Sequence, residues 1–230
     1  MSISTAVRGV IRALLPQECL LCGADAGDAQ LCAACAGELP VLPEPRCPVC
    51  ALPTPGGGTC GQCLKSPPAF DATLALWRYD FPLDKLVQAL KYRHHLSIAG
   101  FFAERMAAGP HPAGDLMIPI PLSARRLQER GFNQALEIAR PLARATGMDL
   151  GLDFCRRTLD TVPQASLPWK ERRKNVRHAF ECTVDLGGRH VVVVDDVMTT
   201  GATLEEFART LKRHGAAKVG NWVVARALRD

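Results

Sequence analysis

The sequence predicts an α/β fold, an open, mostly parallel, Rossmann-like sheet, preceded by a small metal-knuckle segment. Three observations carry this. Val191-Val192-Val193-Val194 is an uninterrupted β-branched run, which suits a central strand covered on both faces better than an alternating edge strand. Strand and helix patterns alternate through most of the region after residue 70, as crossover-connected parallel strands require. Eight cysteines between residues 19 and 63 fall into two copies of Cys-x2-Cys-x9-Cys-x2-Cys, the second displaced by 28 residues, the signature of a repeated metal knuckle.

In chain order, Ile3, Val7, Val10, Ile11 and Leu14 are spaced for a short amphipathic helix over residues 1–15, closed by Pro16. Residues 16–66 hold the knuckles. Cys19, Cys22, Cys32 and Cys35 offer four thiolates, and Cys47, Cys50, Cys60 and Cys63 offer four more, so one or two structural Zn²⁺ ions are expected, paired within or across the halves. A disulfide framework is the competing reading. Against it, no apolar signal segment follows Met1, and Cys155 and Cys182 stand alone in the sequence. Large apolar side chains are few between residues 19 and 66, and such a core cannot offset backbone entropy. Metal binding is therefore expected to be coupled to folding there.

Residues 70–230 make the α/β body. Strands are expected at Ala72–Tyr79, Leu116–Pro121, Arg189–Asp195 and Lys218–Ala225. Helices are expected at Leu83–Tyr92, Ile98–Met106, Gln134–Thr146 and Leu204–Arg213, the last stopped by Gly215. Phe101, Phe102, Phe132 and Phe180 read as core.

The most informative stretch is Asp195-Asp196-Val197-Met198-Thr199-Thr200-Gly201-Ala202-Thr203. It leaves a buried strand through two carboxylates and a hydroxyl-rich turn, then enters a helix whose first amides have no intrahelical partner. Thr199, Thr200 and Thr203 can donate to phosphate oxygens, and Gly201 lets the backbone approach. The carboxylates suit sugar hydroxyls, with Mg²⁺ on the ligand's oxygens. The bland alternative is an exposed strand end followed by a capping box of Thr203 and Glu206. No Gly-x-x-x-x-Gly-Lys-Thr string occurs.

This nonapeptide resembles the phosphoribosyl-pyrophosphate loop of type I phosphoribosyltransferases. The resemblance implies that Asp195 and Asp196 hold the ribose hydroxyls, while Thr199, Thr200, Gly201, Ala202 and Thr203 cradle the 5′-phosphate. It also places a pyrophosphate loop at Ser123 to Gly131, with Arg125, Arg126 and above all Arg130 as ligands. Ile118-Pro119-Ile120-Pro121, Arg125 to Gln134, Gln164, Arg173 to Phe180 and the cysteine knuckles together resemble the ComF family, including its GntX-type members, so that residues 16–66 become a double zinc ribbon. The family resemblance implies a cytoplasmic protein of DNA uptake and natural transformation, with a competence helicase and other DNA-import proteins as partners. An alternative of another class is a nucleotide-sensing adaptor that handles single-stranded DNA on the same fold.

The formal charge is +5, yet residues 1–66 carry four basic against five acidic side chains, so the cations belong to the body. That field suits a pyrophosphate ligand or a nucleic-acid backbone. Residues 156–178 bring seven basic side chains, including Arg156, Arg157, Arg173 and Lys174, against two acids. With Gln164 and Asn175 they read as a lid or auxiliary segment, interrupted by Pro163 and Pro168. Lys91 matches a family-like Leu-Lys-Tyr segment, though a lysine ending a helix also simply complements the helix dipole. No apolar run reaches membrane-spanning length. Transfer of a ribose 5-phosphate group is the implied reaction, and no motif identifies the acceptor.

Overall fold

The computed structural model describes residues 17–159 and 176–228. The helix expected over residues 1–15 lies outside them. The first knuckle contains α1 (Ala33–Gly37) and the second contains α2 (Gly61–Lys65). The body follows as β1 (Ala72–Arg78), α3 (Leu83–Arg93), α4 (Ser97–Ala107), β2 (Leu116–Pro119), α5 (Ala124–Arg130), α6 (Gln134–Thr146) and β3 (Asp149–Leu150). The strands β4 (Cys155–Arg157) and β5 (Phe180–Cys182), then β6 (His190–Met198), α7 (Ala202–Arg213) and β7 (Lys218–Arg226) complete it. Gly215, at φ 91°, turns the chain out of α7.

Five strands form one sheet in the order β1-β7-β6-β2-β3, every neighbour parallel, while β4 and β5 pair antiparallel beside it. The valine run is continuous because both faces of β6 are covered. Val191 and Val193 pack with Phe207 and Leu211 of α7, whereas Val192 and Val194 pack on the other side with Phe102, Ile138 and Trp222. Strand alternation divides the four valines between two cores. Each fully buried side chain of this size contributes roughly 1.5–3 kcal/mol. Phe101, Phe102 and Phe180 are buried as expected, and Phe132 packs partly buried against a histidine ring.

The knuckles straddle the sheet's β1 edge. Cys19, Leu31 and Leu39 join the core on one face; Cys47, Cys50, Ala51 and Cys63 join the core on the other. Between them the chain pairs with β1: Arg78 donates its amide to Pro40 O (2.8 Å) and Leu42 donates to Leu76 O (3.1 Å). Arg46 adds a guanidinium bond to Ala75 O (2.7 Å). An exposed parallel edge invites pairing with other chains, and this cover removes that invitation. Apolar residues counted inside residues 19–66 understate their burial, because much of the partner surface belongs to the body.

Three local expectations change. The strand does not end at Asp195, because β7 pairs with β6 as far as Met198. The segment Ser123 to Gly131 is a capped helix rather than a loop: the Ser123 hydroxyl accepts from Arg126 N (3.5 Å), and Gly131 closes α5 at φ 75°. Cys155 and Cys182 are cross-strand partners rather than isolated thiols, and burial, followed by the bond to Cys182, pushes the Cys155 thiol above its usual range.

Phe207, with no exposed surface, meets the Phe180 ring in a tilted contact at a centroid distance of 4.9 Å. Replacing Phe207 with Ala is expected to cost about 3–5 kcal/mol, read from the urea midpoint, and Phe207→Leu is expected to recover most of it.

Candidate functional site

The site forms where β6 outruns its neighbour. Pro119 of β2 pairs with Val194, and Ile120 donates its amide to Val194 O (2.9 Å); beyond that point the chain leaves the sheet toward α5. Asp195 and Asp196 come next on β6, where Asp195 and Val197 on either side of Asp196 still pair with β7 while the β2 side is open. Ligands of parallel α/β sheets bind beyond such carboxyl ends. A cleft of about 660 Å³ opens there. Asp195, Asp196, Thr199 and Thr203 line it from β6 and the following turn, Arg125, Arg126 and Arg130 from α5, Lys91 and Tyr92 from α3, and Arg157 from β4.

The two carboxylates are held differently. Asp195 accepts from Asp196 N (2.8 Å) and Asp196 accepts from Val197 N (2.9 Å). Asp196, 4% exposed, is also ion-paired with Lys91, whose side chain is 19% exposed. Burial alone would lower the Lys91 ammonium, but the Asp196 charge and hydrogen bond, with Asp195 behind them, outweigh it and raise it above its usual value. Burial, then the Asp196 charge, pushes the Asp195 carboxyl well above the ordinary carboxylate range, although Lys91 pulls the other way. Lys91 is thus an internal counter-ion of the acidic pair.

Opposite lies a crowd of cations. Burial, then Arg130 and Arg125, lowers the Arg126 guanidinium below its usual value. Arg130 lies over the Tyr92 ring at 5.2 Å, and Arg125 reaches Glu129 at 3.5 Å. Like charges pressed together are relieved by an anion, and guanidinium forks match phosphate oxygens.

Not every expected residue faces this cleft. Thr200 turns its hydroxyl back to accept from Ala202 N (3.1 Å). Together with Gly201 and Ala202 it lines a rear depression beside Cys50, Cys63, Phe70 and Arg226. Gly201 sits at φ 80°, a left-handed conformation in which a residue with a Cβ would be strained, so the turn favours glycine. Ser123 is buried as the α5 cap, and Gly131 closes the same helix. Asn133 anchors the next turn through bonds to Ile120 O (3.0 Å) and from Ala135 N (3.0 Å). The capping box of the bland alternative does not form: Gly201 caps α7, and Glu206 accepts from His178 N (2.9 Å) and Arg209 (2.7 Å). Gln164, Arg173, Lys174 and Asn175 lie outside the described residues.

Among the cleft residues that sequence reasoning does not assign to the site, two carry polar groups buried in its wall. Arg157, buried over the Phe180 ring, was read as part of a basic lid; its contact with the cleft depends on the β4–β5 pairing, which a three-residue strand hardly announces. Gln134, 4% exposed, carries an Oε1 atom without a hydrogen-bond partner. Its one sequence signal was its place at the start of a helix following the arginine cluster.

The eight knuckle cysteines form two separate groups, one per half, each with its sulfurs within 4.8 Å of one another. Zn–S bonds of ~2.3 Å in a tetrahedron set sulfurs about 3.8 Å apart, and Cys22–Cys32 and Cys50–Cys60 lie at 3.8 and 3.6 Å. The residues therefore fit zinc, paired within each half. Burial opposes ionisation of Cys19 and Cys47, but donated backbone amides overcome it and hold the thiols down to about 6 and about 7.

A carboxyl raised in the folded state binds more protons than in the unfolded chain, so its contribution to stability falls as pH rises from ~4 through the raised value. Asp195→Asn is therefore expected to raise the melting midpoint of the free protein above pH ~4, with the gap widening until the raised value is passed. A variant no more stable than the parent at neutral pH would refute this. Lys91→Met, which strands Asp196 without its counter-charge, is expected to cost about 3 kcal/mol in the same denaturation experiment.

Comparison with known proteins gives two family matches, a double zinc ribbon domain over residues 10–64 and a phosphoribosyl transferase domain over residues 134–230. The DNA utilization protein YhgH of Escherichia coli O157:H7 is 36% identical over 193 residues, covering 79% of this chain and 84% of the relative. Competence protein F of Haemophilus influenzae is 33% identical over 179 residues, covering 73% and 78%. Competence protein ComFC of Bacillus subtilis is 26% identical over 216 residues, covering 87% and 85%. With the parallel sheet, the acid-threonine turn and the paired four-cysteine groups in place, the chain belongs to the ComF/YhgH family of phosphoribosyltransferase-like proteins with an amino-terminal double zinc ribbon.

Proposed function

We propose that the cleft binds phosphoribosyl pyrophosphate, with Mg²⁺ carried on the ligand's oxygens. One observation supports this above all: adjacent acids, threonine hydroxyls and three crowded guanidiniums meet in a single cleft of about 660 Å³, a size usual for small-ligand sites. Asp195 and Asp196 accept from the ribose hydroxyls, and Lys91, ion-paired with Asp196, holds that carboxylate in place. Thr199, Thr203 and the first amides of α7 take the 5′-phosphate, while Thr200, Gly201 and Ala202 shape the turn from behind. Arg125, Arg126 and Arg130 grip pyrophosphate, joined by Arg157. Gln164, Arg173, Lys174 and Asn175, outside the described residues, keep the auxiliary role that the family resemblance implies. Mg²⁺, when bound with the ligand, supplies positive charge at the diphosphate. As an acceptor attacks the anomeric carbon, the guanidiniums stabilise the departing pyrophosphate.

Zn²⁺ in each four-cysteine group is proposed to be structural. The names of the competence relatives support a place in DNA uptake and natural transformation. Beside transfer stands a second reading, an adaptor that senses phosphoribosyl pyrophosphate or a related nucleotide and handles single-stranded DNA, its ribbons docking a competence helicase or another DNA-import protein. The same relatives favour it, whereas only 6% of the chain is aromatic, and strand-binding grooves rely on stacked aromatics.

Calorimetry with phosphoribosyl pyrophosphate and Mg²⁺ tests the cleft. Asp195→Asn combined with Asp196→Asn is expected to weaken binding at least about tenfold, equivalent to ~1.4 kcal/mol, with the circular dichroism spectrum unchanged. Equal affinity in parent and double variant would remove the assigned site. Pyrophosphate release above background with a panel of acceptors then separates transferase from adaptor.

A further inference from the structure

Arg226 ends β7 and is 3% exposed. A guanidinium stays charged at any working pH and, once buried, needs acceptors for its donors. Arg226 finds them on the main chain of two separate parts of the molecule. Its Nε donates to Cys50 O at 2.8 Å. Its Nη1 donates to Met198 O (3.0 Å), Thr199 O and Ala227 O (2.7 Å). Cys50 belongs to the second four-cysteine group, and Met198 and Thr199 lead into the phosphate turn.

The same two parts touch elsewhere. The depression behind the turn is walled by Cys50 and Cys63 on one side and by Thr200 and Gly201 on the other. Met198 packs into the core that also holds Cys47, Cys50 and Cys63. Residue Ala51, fully buried, sits at φ 56° directly after Cys50. A residue with a Cβ keeps that conformation only where its surroundings over-determine it, and closure of the knuckle on a metal is such a determinant. The first knuckle is tied differently: its Gln30 Oε1 accepts from Ser97 of α4 (2.7 Å), away from the turn.

We propose that Arg226 is a positioning residue that couples the second four-cysteine site to the phosphate turn, so that zinc at Cys47, Cys50, Cys60 and Cys63 and a phosphoribosyl ligand in the cleft strengthen each other's binding. The inference rests on the reading of the cleft given above. Zinc closes the knuckle and fixes the Cys50 carbonyl; Arg226 passes that position to the Met198 and Thr199 carbonyls, which set where the turn presents its hydroxyls and amides. Coupling of two binding equilibria is reciprocal. The ligand must therefore hold this zinc by the same factor that this zinc holds the ligand, and the first zinc serves as an internal control.

The experiment uses the full-length, two-zinc protein. Zinc release to a chromogenic chelator is followed with and without saturating phosphoribosyl pyrophosphate and Mg²⁺, and the order in which cysteines become open to iodoacetamide is mapped by mass spectrometry. The expected result is about tenfold more chelator needed at equilibrium to withdraw the second zinc and delayed alkylation at Cys47, Cys50, Cys60 and Cys63, with Cys19, Cys22, Cys32 and Cys35 unaffected. Arg226→Met, purified with both zincs, is expected to bind the ligand more weakly and to lose the protection, while Arg226→Lys retains part of both. Protection of both groups alike, or of neither, in protein that binds the ligand in the calorimeter would overturn the coupling and leave the cleft reading intact. Parent protein that binds no phosphoribosyl pyrophosphate removes both proposals together. Should Arg226→Met not fold, the site-selective protection in the parent protein still decides the matter.

Discussion

Two adjacent carboxylates in a strand between other strands are costly, and the ion pair between Lys91 and Asp196 is what makes them tolerable here. Desolvation disfavours each charge separately. Lys91, brought by the last turns of α3, supplies a counter-charge to Asp196, while burial and then the Asp196 charge raise the Asp195 carboxyl. Breaking such a pair from one side is far worse than never having made it, so the placement of α3 and the register of β6 against β7 are bound to one another.

Across the cleft the cations crowd one another. Arg126 is depressed by burial and by Arg130 and Arg125, so a cost already exists that an anion can relieve. Folding this stretch as a capped helix rather than a loop serves that end, because successive helical turns stack cations on one side with their spacing fixed. The cleft thus has a side that carries the two carboxylates and a side that carries the guanidiniums, set by α3 and β6 on one hand and α5 on the other.

The zinc ribbons enter the same scheme as part of the body. They cover both faces of the sheet at its β1 edge, and the chain between them pairs with that edge. A short cysteine-rich segment with little core of its own gains stability from the body's surface, and the body loses an exposed edge. The hydrogen bonds of Arg226 make one of the two ribbons contiguous with the back of the turn that follows β6.

Sequence by itself determined the features that depend on local periodicity and on residue type. The four valines, the helices from Leu83 and from Gln134, the repeated cysteine spacing and the acid-threonine turn were all legible because each is a pattern over neighbouring residues. The tertiary structure decided what depends on distant partners. Lys91 reads as an ordinary helix-end cation until Asp196 is found beside it; Arg157 reads as lid until β4 pairs with β5; Arg226 carries no local signal at all, because its acceptors are carbonyls at Cys50 and Met198. Asp195 and Asp196 were recognised, yet their place inside β6 rather than at its end was set by β7, which keeps pairing with β6 through Met198. Side-chain pattern reports which face of an element is buried, but a charge buried far along the chain from its partner is specified only when folding closes the distance.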